Sequence, residues 1–468
     1  MISSLENIQA HNQALEARFF NKLKINYQLN RQLVSFQANK NKPCYRWFKY
    51  KEGFSEALVQ YLLDHLNFDT GRILDPFAGT GTTLFVASER GLDATGIELL
   101  PVGCEIMEVR KLAQNGDAPA LRSIIDRWQR EQPWKQVQSV TPFPHLRITS
   151  GAFPEETQQA LDRYLAALKS ETGAAAQVLR FAVMSVLEEI SYTRKDGQYL
   201  RWDYRSGRRQ GSKPFDKAKI FDFDEAITRK LDEICTDLQP SGFLPGFFNG
   251  SGKKGKIEVL RGSCLAVLPT LQTASFDGLI TSPPYANRYD YTRTYALELA
   301  LLGVGETEIR ELRQAMVSCT VENREKTGLQ AVFGSDVYRQ VSAAFDHQQE
   351  LQSILSYLEW QKSTKSLNNS GIPRMVRNYF FEMALVIFEC ARLLKPNAPF
   401  VMVNDNVRYG GAIIPVDLIL SDFAEQAGFD VEVIWVLPTG KGNSSQQMGL
   451  HGREEVRKCI YIWRRRSE

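Results

Sequence analysis

The sequence lacks closely spaced cysteines and a strong excess of charge of either sign. Its seven cysteines are odd in number and scattered along 468 residues, with no close pair at metal-ligand spacing. We therefore expect no metal site and a reducing compartment. The 57 lysines and arginines nearly balance the 54 acidic residues, giving a net charge of +3, so any basic surface must be local.

Long apolar runs are also absent. No uninterrupted run reaches the length needed to span a membrane, and the first residues, MISSLENIQAHNQALEARFF, do not combine a charged start with an apolar core. Hydrophobic residues nevertheless make up 43% of the chain, which is enough to bury a sizeable core. We expect a globular cytoplasmic protein with no membrane partner.

Seven short β-rich runs are present, several of them separated by helical stretches such as YFFEMALVIFECARLL. The runs are RILDPF (72–77), DATGIEL (93–99), IEVLRG (257–262), FDGLITS (276–282), APFVMVND (398–405), VEVIWVL (431–437) and RKCIYIWRR (457–465). This alternation predicts an α/β fold with a mostly parallel sheet. Residues 1–40 instead have a polar, helical pattern.

Two segments interrupt the series of strands. They run from about 105 to 255 and from about 305 to 372, far longer than ordinary connections within a compact domain. We expect both to be insertions with structure of their own.

The first insertion contains a basic and aromatic stretch, SYTRKDGQYLRWDYRSGRRQGSKPFDKAKI (191–220), with nine Lys or Arg residues against three Asp. Basic side chains interleaved with aromatic rings suit a nucleic acid, because they serve the phosphate backbone and exposed bases. A solvated charged loop is the alternative interpretation. The candidate contact residues are Arg194, Lys195, Arg201, Trp202, Arg205, Arg208 and Arg209.

A glycine-rich loop, DPFAGTGTT (75–83), connects the first predicted strand to a helix. Gly79 and Gly81 permit a sharp turn and close approach of a ligand to the backbone. Glu98, at the end of the second strand, is where an acidic side chain would receive ribose hydroxyls, although a helix-capping or surface carboxylate is the alternative. A nicotinamide fingerprint would have a small residue at the position of Leu84.

A rigid corner, TSPPYANRYDY (281–291), directly follows a short apolar run. Two consecutive prolines and an aromatic ring are unusual at the end of a strand, because proline has no amide donor and a fixed backbone angle. A turn with Tyr285 as core filler is the structural alternative.

Taken together, these motifs resemble those of the S-adenosylmethionine-dependent DNA amino-methyltransferases. DPFAGTGTT is similar to their motif I, TSPPY to motif IV, and YRWFKYKEGFSEALVQYLL (45–63) to motif X; GIEL and RLLKPNAPFVMV continue the match. The resemblance covers roughly the two thirds of the chain outside the insertions. It implies a Rossmann-like, seven-stranded methyltransferase core with two long insertions, and S-adenosylmethionine as cofactor.

The resemblance also implies roles for individual residues. Those expected to bind the cofactor are Asp75, Phe77, Gly79, Gly81, Thr82, Glu98, Phe54 and Ser55. The expected catalytic corner is Ser282, Pro283, Pro284 and Tyr285: the Ser282 oxygen and the Pro283 carbonyl hold an exocyclic amine, and Tyr285 stacks on a flipped base. Serine before Pro-Pro-Tyr is typical of enzymes that methylate N4 of cytosine, so we expect that product in double-stranded DNA.

The chain departs from the family pattern at motif III. There, RGSCLAVL has Ser263 and Cys264 instead of the usual acidic residue. Fewer than twenty residues separate motifs III and IV, so target recognition is expected in the insertions. We divide the chain into a helical segment with motif X and the first core half (1–104), a target-recognition insertion (105–255), the core with motif IV (256–304), a helical insertion (305–372) and the C-terminal core (373–468).

Several alternatives stay open at this stage. The same corner could serve N6 of adenine or an RNA base, or the chain could be a catalytically silent DNA-binding subunit. A C5-cytosine enzyme would need a nucleophilic cysteine, but Pro43-Cys44 precedes motif I. The family further implies a restriction-modification role in a prokaryotic or viral host cell, with a possible cognate restriction endonuclease as partner.

Overall fold

The computed structural model describes residues 5–51, 53–196, 199–210, 214–239, 254–438 and 455–467. Its twelve strands within these ranges are β1 (Leu23–Ile25), β2 (Arg72–Asp75), β3 (Asp93–Glu98), β4 (Thr193–Asp196), β5 (Tyr199–Trp202), β6 (Ile257–Arg261), β7 (Gly278–Thr281), β8 (Pro399–Asp405), β9 (Val407–Tyr409), β10 (Ala412–Ile414), β11 (Phe429–Val436) and β12 (Lys458–Arg465).

Eight of these strands form one sheet in the order β1-β11-β12-β8-β7-β2-β3-β6. Strand β12 is antiparallel to both of its neighbours, and every other pair in the sheet is parallel. The prediction of a mostly parallel, Rossmann-like methyltransferase sheet is confirmed, and all seven predicted strands belong to it.

The eighth strand, β1, was not predicted. It is only three residues long and lies within a segment that otherwise has a polar, helical pattern. It pairs with β11, with Leu23 opposite Ile434 and Ile25 opposite Val436. A three-residue strand leaves too short a pattern for period-two alternation to be recognised.

Seventeen α-helices accompany the strands in the described ranges. They are α1 (Leu5–Phe19), α2 (Glu56–His65), α3 (Thr82–Glu89), α4 (Pro101–Leu112), α5 (Ala118–Glu131), α6 (Glu155–Leu168), α7 (Gly173–Ile190), α8 (Phe223–Asp237), α9 (Cys264–Val267), α10 (Tyr291–Thr294), α11 (Ala296–Leu301), α12 (Glu306–Ala315), α13 (Leu329–Phe333), α14 (Ser335–His347), α15 (Gln349–Ser363), α16 (Ile372–Leu393) and α17 (Val416–Gln426). Among them, no helix is both long and apolar enough to cross a membrane.

The two faces of the sheet belong to separate hydrophobic cores. Successive strand residues point to opposite faces, so Ile73 and Ile280 lie in one core while their neighbours Leu74 and Leu279 lie in the other. Helices α2 to α8 contribute to the first core, and α1 and α14 to α17 to the second. Much of the first insertion therefore covers one face of the sheet, and helices of the second insertion cover the other.

A topological switch point lies between β2 and β7. Strands β3 and β6 extend the sheet on one side of β2, whereas β7 and β8 extend it on the other. In open α/β sheets, ligands bind outside the carboxyl ends of the strands at such a point. Asp75 ends β2 and Thr281 ends β7, and the Thr281 hydroxyl donates a 2.6 Å hydrogen bond to the Asp75 carboxylate.

The basic stretch of the first insertion contains the antiparallel hairpin β4–β5. Strand β5 packs against α10, the short helix that follows the proline corner. The hairpin thus lies beside the carboxyl ends of the central strands.

Candidate active site

The glycine-rich loop turns sharply from β2 into α3. Gly79 and Gly81 have φ angles of 55° and 76°, in the left-handed region that favours glycine. A Cβ atom on Gly81 would lie 2.8 Å from Cγ of Met107. Both the backbone conformation and the space behind it therefore require glycine at this position.

Glu98 is held by the loop itself. Its two carboxylate oxygens accept hydrogen bonds from the amides of Gly79 and Leu100, each at 2.7 Å. Burial raises the pKa of Glu98 to about 7, although the two amides oppose this shift. Asp75, at the end of β2, is also buried, and desolvation raises its pKa to about 6.

Close packing behind Glu98 depends on Gly103 in α4, a residue that sequence analysis missed. A Cβ atom there would lie 2.4 Å from the Gly79 carbonyl oxygen and 2.8 Å from Cγ of Glu98. The helix therefore approaches the loop as closely as its backbone allows. A single glycine within a helical pattern gave no signal of this contact.

A cleft opens at the carboxyl ends of the central strands. Most of the predicted cofactor and catalytic residues line it, namely Phe54, Asp75, Phe77, Gly79, Thr82, Glu98, Ser282 and Pro284. The glycine loop, motif X and the proline corner, which are distant in sequence, therefore meet in one site.

Two predicted cofactor residues, Gly81 and Ser55, are not among the residues that line the cleft. The Ser55 hydroxyl accepts a hydrogen bond from the Leu58 amide at 3.1 Å and donates one to the Leu33 carbonyl at 2.6 Å. Ser55 is thus the N-cap of α2 and supports the neighbouring Phe54. Its expected contact with the cofactor stays a prediction.

Further lining residues were not among the predicted contacts, although Tyr50 lies within the motif X segment. Tyr50 lines the cleft and stacks on Tyr295, with ring centroids 5.0 Å apart. Met316 and Val317, which follow α12, form another part of the wall. Sequence spacing could not reveal that the second insertion reaches the same cleft.

The departure at motif III is accommodated within this wall. Ser263 and Cys264 line the cleft. The Ser263 hydroxyl donates a 2.6 Å hydrogen bond to the carbonyl oxygen of Ala315. Ala315 directly precedes the lining residue Met316. The serine that replaces an acidic residue therefore fastens the second insertion to the core.

The proline corner holds Ser282 between two oxygen atoms. Its Oγ lies 3.1 Å from the Val403 carbonyl oxygen and 3.2 Å from the Tyr285 hydroxyl. Pro283 is buried, whereas Ser282, Pro284 and Tyr285 are half-buried. The serine oxygen is thus fixed at the rim of the cleft that also contains Glu98.

Asp290, next to the corner, has a structural role. Its buried carboxylate accepts hydrogen bonds from the amides of Thr292 and Arg293 and caps α10. It also forms an ion pair with Arg313 of α12, at 3.1 Å. These contacts tie the segment that follows the corner to the second insertion.

The structure contradicts the expected DNA-contact role of Lys195. This side chain is only 4% exposed and its Nζ lies 2.5 Å from Oε1 of Glu298, which is 1% exposed. The ammonium also lies 4.7 and 4.8 Å from the ring centroids of Phe48 and Tyr295. A buried ammonium that is engaged in this way cannot reach a phosphate, so Lys195 is a core residue.

Arg205 is also engaged within the protein. Its guanidinium donates to both carboxylate oxygens of Asp203, at 2.7 and 2.9 Å. These contacts hold the pKa of Asp203 well below its usual range. The bidentate pair makes Arg205 primarily a constraint on the loop after β5.

The other predicted DNA contacts lie at the surface or close to it. Arg194, Arg201 and Arg209 are exposed. Arg208 and Trp202 are half-buried, and the Arg208 guanidinium lies 3.4 Å from the Trp202 ring centroid. Three accessible cations and a stacked Arg-Trp pair therefore remain on the hairpin and its following loop.

The fold and the site define a cofactor-dependent α/β methyltransferase. Asp75 lies at the switch point, where open α/β sheets bind ligands, and Ser282 and Pro284 of the proline corner line the same cleft. Comparisons with known proteins agree with this class. Residues 8–109 match a family model described as DNA methylase.

Relatives that align along nearly the whole chain establish the family. The chain is 52% identical to the Type II methyltransferase M.AvaI of Nostoc sp. over 464 residues, covering 99% of this chain and 95% of that protein. It is 39% identical to the Type II methyltransferase M.BsoBI of Geobacillus stearothermophilus over 479 residues, covering 96% and 91%. The chain belongs to the S-adenosylmethionine-dependent DNA amino-methyltransferases. Members of this family use S-adenosylmethionine as the methyl donor.

Proposed function

We propose that this protein methylates N4 of cytosine in double-stranded DNA by direct transfer to a flipped base. The observation that carries the proposal is the geometry of Ser282. A neutral serine oxygen, fixed by the Val403 carbonyl, stands at the rim of the cofactor cleft in the position where adenine enzymes typically have Asp or Asn.

The side chains of the cleft are of the kinds that S-adenosylmethionine would need. The Glu98 carboxylate, already oriented by two amides, would receive the ribose hydroxyls. Asp75 supplies a second acidic group, and Phe54 and Tyr50 supply aromatic surface near the motif X end. When bound there, S-adenosylmethionine supplies an electrophilic methyl group on a sulfonium.

The corner would prepare the amine for attack. The lone pair of an exocyclic amine is delocalised into the ring, so the nitrogen must pyramidalise before it becomes nucleophilic. The Ser282 oxygen and the Pro283 carbonyl would accept the two amine hydrogens and favour that change.

The hydrogen bonds of Ser282 suit this acceptor role. A hydroxyl has one proton and two lone pairs, and the Val403 carbonyl can only accept. The serine proton therefore belongs to the bond with Val403. The oxygen can then accept from other donors, including the amine of a base.

A flipped base would stack on Tyr285. Extruding a base costs a few kcal/mol, and one stacking contact returns about 1 to 3 kcal/mol. Stacking alone thus roughly offsets the cost, so phosphate contacts must contribute the rest. Arg194, Arg201 and Arg209 are the accessible candidates, with Arg208 and Trp202 beside them.

We propose the insertion at 105–255 as the region that recognises the target sequence, since it carries these residues and its strand β5 packs against α10. The insertion at 305–372 would support the cofactor wall through Met316 and Val317. A cytoplasmic restriction-modification system with a cognate endonuclease is the proposed setting, in keeping with the Type II designation of the relatives.

The experiment that tests the acceptor role is Ser282→Ala, with Ser275→Ala as a matched control. Ser275 precedes β7 and donates to the Gln272 carbonyl, away from the cleft-lining residues. Losing the acceptor should lower turnover by about 10²- to 10³-fold, the range known for loss of one aligned polar group in an active site. Cofactor affinity, measured by calorimetry, should stay unchanged in both variants. Undiminished turnover in Ser282→Ala would refute the role of this oxygen.

A further inference from the structure

An ion pair lies beside the proposed stacking platform. Lys458 begins β12 and is the register partner of Asp405, which ends β8. The Lys458 ammonium lies 3.3 Å from Oδ1 of Asp405 and 5.8 Å from the ring centroid of Tyr285. The two charged side chains are only 29% and 20% exposed. A cation is therefore held beside the ring of Tyr285, the proposed stacking platform.

Ser282 and Lys458 contact different parts of Tyr285. The Ser282 oxygen contacts the tyrosine hydroxyl, and the Lys458 ammonium lies over the ring. A base that stacks on this ring with its amine at Ser282 would extend the rest of its Watson–Crick edge across the ring. Enzymes that flip bases read them by hydrogen bonds to that edge.

The edges of cytosine and adenine differ at the position farthest from the amine. After the amine, cytosine presents N3 and the O2 carbonyl oxygen, both acceptors. Adenine presents N1 and then a C–H group, which gives an ammonium nothing to bond. A lysine donor at the far end therefore favours cytosine, which accepts a hydrogen bond there, over adenine, which does not.

We propose that Lys458 determines the choice of base by donating a hydrogen bond to O2 of the flipped cytosine, with Asp405 as its positioning residue. An ammonium has three donors, so it can serve the carboxylate and the base at once. Burial raises the pKa of Asp405, whereas Lys458 opposes the shift, in keeping with a pair whose partners stabilise each other's charge. This inference rests on the proposed cytosine specificity.

The test compares Lys458→Met with Lys458→Arg, and uses Lys395→Met as a matched control. Lys395 also pairs with an aspartate, Asp277, at 2.6 Å, but it precedes the start of β8, whereas Asp405 lies at the end of that strand. After the wild-type product and target sequence are identified by mass spectrometry and sequencing, turnover is measured on that duplex. Lys458→Met should lower kcat/KM by about 10- to 100-fold, as expected for loss of a hydrogen bond to a charged group. Lys458→Arg should keep much of the activity, and Lys395→Met should keep nearly all.

A second substrate separates base reading from structural support. In a duplex whose target is a cytosine analogue without the O2 oxygen, the wild type should lose the same 10- to 100-fold, and Lys458→Met should lose little more, because the lost partners are the same pair. Cofactor affinity of Lys458→Met should equal that of the wild type. Fully additive losses, or a Lys458→Met variant as active as Lys395→Met, would overturn the inference. If the wild type instead produces N6-methyladenine, the proposed function itself is wrong; if it produces N4-methylcytosine while the losses are additive, only the role of Lys458 fails.

Discussion

Replacing Lys195 with methionine should destabilise the fold rather than merely weaken DNA binding. The side chain extends from β4 of the first insertion into a buried ion pair with Glu298 of α11, at 2.5 Å. Methionine keeps the apolar stem but removes the charge. Glu298 would then be left 1% exposed without its cation.

The magnitude follows from the burial of both partners. Removing one partner of a buried ion pair costs about 3 to 5 kcal/mol, because the remaining charge stays desolvated. We expect the free energy of unfolding of Lys195→Met to fall by this amount at neutral pH. Removing both charges, in Lys195→Met with Glu298→Gln, should recover most of the loss, because no uncompensated charge remains.

The loss of stability caused by Lys195→Met should depend on pH. Burial raises the pKa of Glu298, and Lys195 is the main influence that lowers it. In Lys195→Met that pKa should rise further, so the folded protein holds the Glu298 proton to higher pH than the unfolded chain does. The loss of stability should therefore be small at acidic pH and grow as the pH rises above the unfolded pKa of about 4.3.

The assay is urea denaturation of the wild type, both single variants and the double variant, at acidic and neutral pH. A coupling between the two sites well above 1 kcal/mol is expected, as for other residues in direct contact. If Lys195→Met leaves unfolding unchanged but weakens DNA binding in a salt-dependent way, the buried-pair reasoning is wrong and the original DNA-contact interpretation stands.

Three further predictions concern the cofactor and DNA. Because burial raises the pKa of Glu98 to about 7, S-adenosylmethionine should bind about tenfold more weakly for each pH unit below 7 in calorimetry, and Glu98→Gln should flatten this profile. Gly103→Ala should weaken cofactor binding about tenfold or more, since its Cβ would lie 2.4 Å from the Gly79 oxygen, whereas Gly305→Ala, with nothing within 4 Å, should leave it unchanged. Arg209→Ala should reduce the slope of log affinity against log salt by about 1 in fluorescence anisotropy with duplex DNA.

Each of these three predictions can be refuted without affecting the other two. A flat pH profile in the wild type would mean that Glu98 does not need its charge to bind the cofactor. Equal affinities for Gly103→Ala and Gly305→Ala would show that α4 can move away from the loop without consequence. An unchanged salt slope for Arg209→Ala would remove that residue from the phosphate contacts.

The fold was largely predictable because the seven core strands carry strong local patterns. Asp75 and Thr281 end two of these strands, and parallel strands bring their carboxyl ends to one edge, so the meeting of the glycine loop and the proline corner followed from topology. Strand β1 was missed because three residues carry too little pattern to stand out from a polar segment.

The misses at the site have a common physical reason. Lys195 lies in a basic stretch, but the alternation of side chains along β4 turns it inward, whereas Arg194 points outward. In so short a hairpin, the sequence pattern did not show which side chains face the core. Met316 reaches the cleft from the second insertion, and Gly103 lets α4 pack against the glycine-rich loop. No local motif encodes either of these tertiary contacts. The sequence motifs predicted which residue types form the site, whereas the packing of distant segments against them could not be predicted.

The proposed function is tested most simply by incubating the purified protein with unmethylated double-stranded DNA and S-adenosylmethionine. The DNA is then digested to nucleosides, and the product is identified by mass spectrometry. We expect N4-methylcytosine, formed by the wild type and lost in Ser282→Ala. N6-methyladenine would contradict the cytosine specificity while leaving the fold and cofactor intact. No methylated nucleoside in DNA of varied sequence would contradict the proposed function as a whole.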